Sequence, residues 1–332
     1  MKKLIFYIVF ILLIISGCQK KQTEDPIEEK KTKYKSSKIL IVHSYSPGPK
    51  GDAQKNIGLQ SVLDATEVEY KIIYMDTRRN TDEDFRKNAA LKAKETIEQY
   101  KPDVVITFDD NAFKYLIMPF YKDSELPVVF AGIDWEVSSY GAPYKNTAGM
   151  VSVALVLQML DYIKEYAAGD RIAWLGYDTF TARKETKAYQ DILGIDMSTH
   201  YVTDFKEWQS KFLSLQTEAD MIIHSGMLHT MIDWDEEEAA KFALKNIKVP
   251  VGTNAMTLMG SSVFGLVKIA SEPGEWAAKT ALEIIDGKDP SDIPLTRNKE
   301  GKAIINLELA EKLDIVFDAK ILKNAEIYQI TR

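Results

Sequence analysis

The chain carries one cysteine, Cys18, among 332 residues. A single thiol rules out a disulfide framework and a cysteine zinc cluster. Histidine is also scarce, with four in all, and neither a His-Glu-x-x-His helix nor a Walker-type loop is present. His43-Ser44 and His224-Ser225 are sequence neighbours, whereas a nucleophile and its base must meet through space beside a third, orienting group. Asp109 and Asp110 are paired carboxylates, but adjacent side chains diverge instead of facing each other across a substrate. The chain therefore reads as a non-enzyme with no catalytic residue, cofactor or metal site, and a hydrolase on the same scaffold is the remote alternative. Positive charge is in deficit: 42 Lys and Arg face 49 Asp and Glu, a formal net charge of −7 that becomes −9 without Lys2 and Lys3. Such an acidic body argues against nucleic acid as a partner.

The longest greasy stretch, residues 4–15, is too short for a hydrocarbon core that needs ~20 apolar residues. With Lys2 and Lys3 before it, it fits a secretory signal over residues 1–17. The residues Ile15-Ser16-Gly17-Cys18 resemble the bacterial lipobox. That resemblance implies that Cys18 is acylated and becomes the mature N-terminus, which also removes it as a thiol nucleophile. Residues 18–37 are nearly free of apolar side chains and carry mixed charge, as a solvated tether does. The expected location is extracytoplasmic, with the protein lipid-anchored to a cell membrane.

From residue 38 onward the composition is that of a globular protein, long enough for two lobes of ~150 residues each. Short apolar runs alternate with amphipathic stretches. Residues 38–42, Lys-Ile-Leu-Ile-Val, form a continuous run of the kind that suits a parallel strand covered on both faces. Strands are expected again at 69–75, 104–107 and 127–130, with helices at 52–64, 82–100 and from Ala112, the last capped by Asp110-Asn111. The same grammar restarts after Val151, with strands at 171–175, 198–202, 220–224 and 248–251 and helices between them. This predicts an α/β protein of two doubly wound parallel-sheet lobes. The first lobe covers 38–150, the second 151–252, and 253–294 returns to the first; the pattern assigns the tail, 295–332, to neither.

Several elements in order are similar to the ABC-transporter substrate-binding family whose better-known members bind tryptophan or related amino acids. These are His43-Ser44-Tyr45-Ser46-Pro47-Gly48, Tyr74-Met75-Asp76-Thr77-Arg78-Arg79, Asp109-Asp110-Asn111-Ala112, residues 127–133 and residues 284–294. The resemblance implies the type I periplasmic-binding-protein fold, with a multi-crossing hinge and a ligand in the cleft. Residues 270–276, Ala-Ser-Glu-Pro-Gly-Glu-Trp, depart from the amino-acid-binding pattern and look more like versions of the domain that serve as sensors.

In open parallel sheets ligands bind beyond the carboxyl ends of the strands, so the loops there name the candidates. From the first lobe these are Ser44, Tyr45, Asp109, Asp110, Asn111, Asp134 and Trp135; from the second, Tyr177, Thr179, Ser225 and Asn254. A hydroxyl such as Ser44 near helix N-terminal amides suits a carboxylate, and Asp109 or Asp110 suits an ammonium. Asp110 and Asn111 read equally well as helix caps, and Tyr45 and Trp135 as core aromatics or stacking platforms. His224 reads as a satisfied polar residue at a strand end. The expected partners are a small-molecule ligand, an amino acid or relative favoured, and an ABC permease, with a membrane sensor protein as the alternative and the binding protein itself a monomer.

Overall fold

The structure, a computed structural model, describes residues 32–48 and 52–329. The expected signal, Cys18 and the tether up to residue 31 lie outside the described residues. Among the described residues no helix is long and apolar enough to cross a membrane.

The first lobe is built on strands β1 (Lys38–His43), β2 (Glu69–Tyr74), β3 (Val104–Phe108), β4 (Val128–Asp134) and β5 (Thr147–Ser152). They lie in the order β5-β4-β3-β1-β2, all parallel. The unbroken apolar run of β1 is explained by what covers it. Alternate side chains point to opposite faces, so Leu40 and Val42 enter one core while Ile39 and Ile41 enter another. The first core is closed by α2 (Glu83–Tyr100) and by the segment that begins with α3 (Asp109–Ala112). The second is closed by α1 (Asp52–Leu63), which supplies Leu59 and Leu63, and by a helix that arrives much later in the chain.

After Ser152 the chain crosses to a second sheet, starting with α4 (Val156–Lys164). Strands β6 (Ile172–Tyr177), β7 (Met197–Val202), β8 (Met221–His224), β9 (Val251–Thr253) and β10 (Phe264–Lys268) follow, with α5 (Phe180–Asp191), α6 (Phe205–Glu218) and α7 (Glu236–Asn246) among them. These strands lie in the order β10-β9-β8-β6-β7 and pair in parallel. Each helix starts on an acceptor side chain, Thr179 for α5, Asp204 for α6 and Asp235 for α7. The acid run at 233–238 opens α7 on Asp235, and its Asp233 accepts the N–H of Phe205 at 3.0 Å at the start of α6.

The chain stays in the second sheet longer than its pattern indicates. The return expected at residue 253 begins only after Lys268, because the apolar run Phe264-Gly-Leu-Val extends the sheet, with Gly265 opposite Thr253. Then α8 (Glu272–Ile285) recrosses and lays Ala277, Ala278, Ala281 and Ile284 on the first-lobe core, and β11 (Thr296–Arg297) pairs with β5. A third crossing leads to β12 (Gly301–Ile305), antiparallel to β10, and to β13 (Glu326–Ile327), so the tail finishes on the second lobe. Two lobes joined by three crossings form the type I periplasmic-binding-protein fold.

The returning helix can dock only because two glycines meet. A Cβ on Gly58 of α1 would run into the carbonyl of Ser271, and one on Gly274 of α8 into the carbonyl of Lys55. Backbone on both sides has nowhere to retreat. We therefore expect Gly274→Ala to cost about 3 kcal/mol of folding free energy, the upper end for overpacking, measured as a lowered midpoint in urea unfolding.

Candidate functional site

The carboxyl ends of β1, β3 and β4 converge on a polar cluster. His43, the last residue of β1, is fully buried, with its ring stacked between Tyr74 and Phe108 at centroid distances of 5.0 and 4.8 Å. Its Nε2 donates to Asn56 Oδ1 at 2.8 Å, and Asn56 Nδ2 donates to the Tyr74 hydroxyl at 2.8 Å. Asp52 Oδ1 lies 3.5 Å from His43 Nδ1 and 3.2 Å from Lys55 Nζ. Burial pushes the Asp52 carboxyl up, but His43 and Lys55 outweigh it and hold the group below its usual range. Lys55 also grips both oxygens of Asp109, at 2.7 and 2.6 Å. Burial nevertheless leaves the Asp109 carboxyl raised, with the lysine pulling the other way. Gly132, at φ +86°, closes against this pair: a Cβ there would sit 2.9 Å from Asp109 Oδ1.

Ser44 does not face the cleft. It is buried, its hydroxyl donating to the Phe108 carbonyl at 2.6 Å and accepting from the Ala112 N–H at 2.7 Å. This borrowed cap corrects two expectations. Ser44 is a staple between β1 and α3 and has no hydroxyl left for a ligand. The helix also begins at Asp109, three residues before the expected Ala112, so neither Asp110 nor Asn111 is spent on capping it. Asn111 turns aside and donates to Thr77 Oγ1 at 2.8 Å. Asp110 accepts from the Tyr140 hydroxyl at 2.6 Å and from the Asp134 N–H at 3.3 Å. Burial and the Asp110 carboxylate hold the Tyr140 hydroxyl above its usual value, which keeps it a donor. Tyr45 is raised too, by burial and then by Asp109 and Asp110, with the Arg78 guanidinium stacked 4.6 Å over its ring.

Trp135 adopts φ +67°, a conformation rare for a bulky residue. Its side chain packs against the cores of both lobes and meets the ring of Tyr189, in the second, edge-to-face at 5.7 Å. Tyr189 donates to Glu185 Oε1 at 2.8 Å, and Ser225 donates to Glu185 Oε2 at 3.0 Å. Burial raises the Glu185 carboxyl, opposed by the bonds from Tyr189 and Ser225. Asn254 Nδ2 reaches the Tyr189 hydroxyl at 3.4 Å. Ser225 is thus turned inward as a support for Glu185, and Thr179 is occupied by the Ala182 N–H at 3.0 Å as the cap of α5. Tyr177 packs half-buried against the second-lobe core. His224 lies in that core beside Trp208 and Phe212, where burial pushes its imidazole down to about 3 and keeps it neutral.

Between the lobes lie two cavities that share Asp134. One, of about 330 Å³, is lined by Lys55, Asp109, Asp134 and Ser152 on the first-lobe side and by Asn254 and Lys268 on the second. The other, of about 510 Å³, is lined by Asp110, Trp135 and Tyr140 across from Lys184 and Ala188. Lys268 Nζ donates to Ser152 Oγ at 3.0 Å and so bridges two crossings. Burial and then Lys55 pull the Lys268 ammonium down, against Asp134, Asp109 and Glu185, which support it. The Asp134 carboxyl is pushed up by burial and by Asp110, and is drawn back by Lys268, Lys184 and Lys55. Among the described residues neither Asp134 nor Lys268 makes an ion pair.

A cavity walled by both lobes and polar at the strand ends has the layout of a ligand cleft, and the family comparison agrees. The model of the ABC transporter substrate-binding proteins matches residues 48–328. The chain belongs to that family. The binding protein also shares its fold with solved structures. A ligand-free, open substrate-binding protein with adhesive properties from Clostridium difficile is 15% identical, with a TM-score of 0.64 over 88% of this chain and 99% of that one. An ABC transporter solute-binding protein from a Bradyrhizobium species, solved with bis-tris, is 13% identical, with a TM-score of 0.55 over 85% and 86%. A conserved domain protein from Vibrio cholerae is 18% identical, with a TM-score of 0.52 over 88% and 99%. A search of curated proteins finds no match to this binding protein.

Of the residues expected at the site, the binding protein brings Asp109, Asp110, Asp134, Trp135 and Asn254 to the cavities and turns Ser44, Asn111, Thr179 and Ser225 into the framework. Lys55, Tyr140, Glu185 and Lys268 escape sequence reasoning. Lys55 left a signal: a cation in the first turn of a helix opposes the macrodipole and needs a reason, here Asp109. Lys55→Met should cost about 3 kcal/mol, since it leaves a carboxylate without its partner. The carboxyl is raised in the folded state, so the penalty falls on its ionised form, grows as pH rises and shrinks as pH falls. Chemical unfolding of variant and parent at pH 8 and pH 5 measures the difference.

Proposed function

We propose that the protein is an extracytoplasmic solute-binding lipoprotein. In this reading it is held at the membrane by acylated Cys18, closes on a small zwitterionic ligand, an amino acid or close relative, and delivers it to an ABC permease. One observation carries the choice of ligand. The 330 Å³ cavity gathers a carboxylate, Asp134, from the first lobe and an ammonium, Lys268, from the end of β10 in the second, neither neutralised by an ion pair among the described residues. A ligand with a positive and a negative group satisfies both at once, and doing so draws the two lobes together. Trp135, backed by buried Tyr189, lines the adjoining 510 Å³ cavity and offers aromatic surface to an apolar side chain there. A volume of this size is in the range of small-molecule sites.

Titration calorimetry with the twenty common L-amino acids should find binding for at least one. Asp134→Asn should weaken it roughly a hundredfold, as losing one partner of a desolvated charge pair costs about 3 kcal/mol. No heat from any of the twenty would reject the ligand class. Separately, Cys18→Ser in the full chain should move the protein from the membrane fraction to the soluble fraction on cell lysis, and retention in the membrane would reject the lipid anchor.

A further inference from the structure

Asn298 lies on the third crossing, between β11 and β12, and is only 4% exposed. Its Oδ1 accepts the N–H of Val153, on the first crossing, at 2.7 Å. A backbone N–H can only donate, so the orientation of the carboxamide is fixed and Nδ2 points the other way. That nitrogen is buried and has no hydrogen-bond partner among the described residues. Buried donors are rarely left so, because each costs about 1–3 kcal/mol. Tying the two crossings needs only the acceptor; the donor is surplus to the clamp.

The surplus donor belongs to a residue that lines the 330 Å³ cavity, together with Lys268, Asp134 and Asn254. Asn254 shows the complementary pattern. Its Nδ2 faces the Tyr189 hydroxyl, whose proton goes to Glu185, and its Oδ1 is buried without a partner. Beside the paired Lys55 and Asp109, the residues that line the cavity thus carry two uncommitted buried groups, the donor Asn298 Nδ2 and the acceptor Asn254 Oδ1, together with the charges of Lys268 and Asp134.

We propose that Asn298 is a specificity-determining residue: its Nδ2 donates to a carboxylate oxygen of the ligand, with Lys268 at the same group, so that the hinge itself reads the anionic end of the ligand. The inference rests on the reading of this cavity as the ligand site. Both donors stand on crossings, Lys268 on the second and Asn298 on the third, and each is already bonded to the first through Ser152 or Val153. A carboxylate held there joins all three strands of the hinge.

The test pairs each of the twenty common L-amino acids with its decarboxylated amine on the parent protein and on Asn298→Asp. The aspartate keeps an oxygen for the Val153 N–H and replaces the surplus donor with an acceptor. For whichever amino acids bind the parent, the matching amine should bind at least tenfold more weakly. Asn298→Asp should lose at least tenfold in affinity for the amino acid, with the melting temperature of the unliganded protein within a few degrees of the parent. If the amino acid binds the parent and the amine binds equally well, or a folded Asn298→Asp binds as the parent does, the inference is overturned while the cavity remains the ligand site. If Asn298→Asp does not fold, the amine comparison on the parent decides alone. If no amino acid binds the parent, the inference and the ligand class fall together.

Discussion

The first lobe cannot be completed from its own stretch of sequence. One face of its sheet is covered by α1 and by α8, and α8 follows a whole second lobe in the chain. The chain must come back to bury Ile39, Ile41 and Val129, and then it must leave again to finish the other sheet with β12 and β13. Three crossings are the result, and with them a hinge of fixed composition. Everything polar in the cleft is arranged around that requirement. Glu272, where α8 begins, is nearly buried and accepts the N–H groups of Lys299 and Glu300, binding the second crossing to the third. Asn298 and Lys268 bind the third and the second to the first. The lobes are thus joined by strands that hold one another, which favours rotation of whole lobes over local fraying.

The strand ends show how a concentration of carboxylates is tolerated. Asp52, Asp109, Asp110 and Asp134 stand within one lobe, yet each has a different environment. Lys55 answers the first two, tyrosine and backbone donors answer Asp110, and Asp134 opens to the cavity. The second lobe contributes Glu185, held by the hydroxyls of Tyr189 and Ser225 and raised by burial. Ordering is achieved by giving every acid but one a short-range partner inside the protein. The remaining acid is the one left to meet something else.

Much of the architecture was legible as pattern. Continuous apolar runs marked β1, β3 and β4 as doubly covered strands, and the alternation with helices implied parallel sheets. Strand β5, Thr147–Ser152, carried no such signal, because Gly149 lies against the ring of Phe130 and the strand's character comes from that neighbour. The short β11 and β13 are recruited by sheets already built. At the site, strand-end logic named Asp134, Trp135 and Asn254, which line the interlobe cavities because their position follows from topology. It misjudged Ser44, since a hydroxyl that serves a ligand and one that serves a helix amide look alike until the helix is placed. Asn298 and Lys268 were invisible because their partners, Val153 and Ser152, are 145 and 116 residues away in the chain.

The described chain enters the first lobe far from the cleft. Lys33 and the Tyr34 hydroxyl both hold Asp286, at the last turn of α8, before β1 begins at Lys38, and the cleft lies at the opposite ends of the strands. A pull applied through the N-terminal side of Lys33 is therefore taken up by β1 and α8, both bodies of the first lobe. The first lobe is thus the member of the pair that takes such a load directly, and the load reaches the crossings only by way of that lobe's own elements.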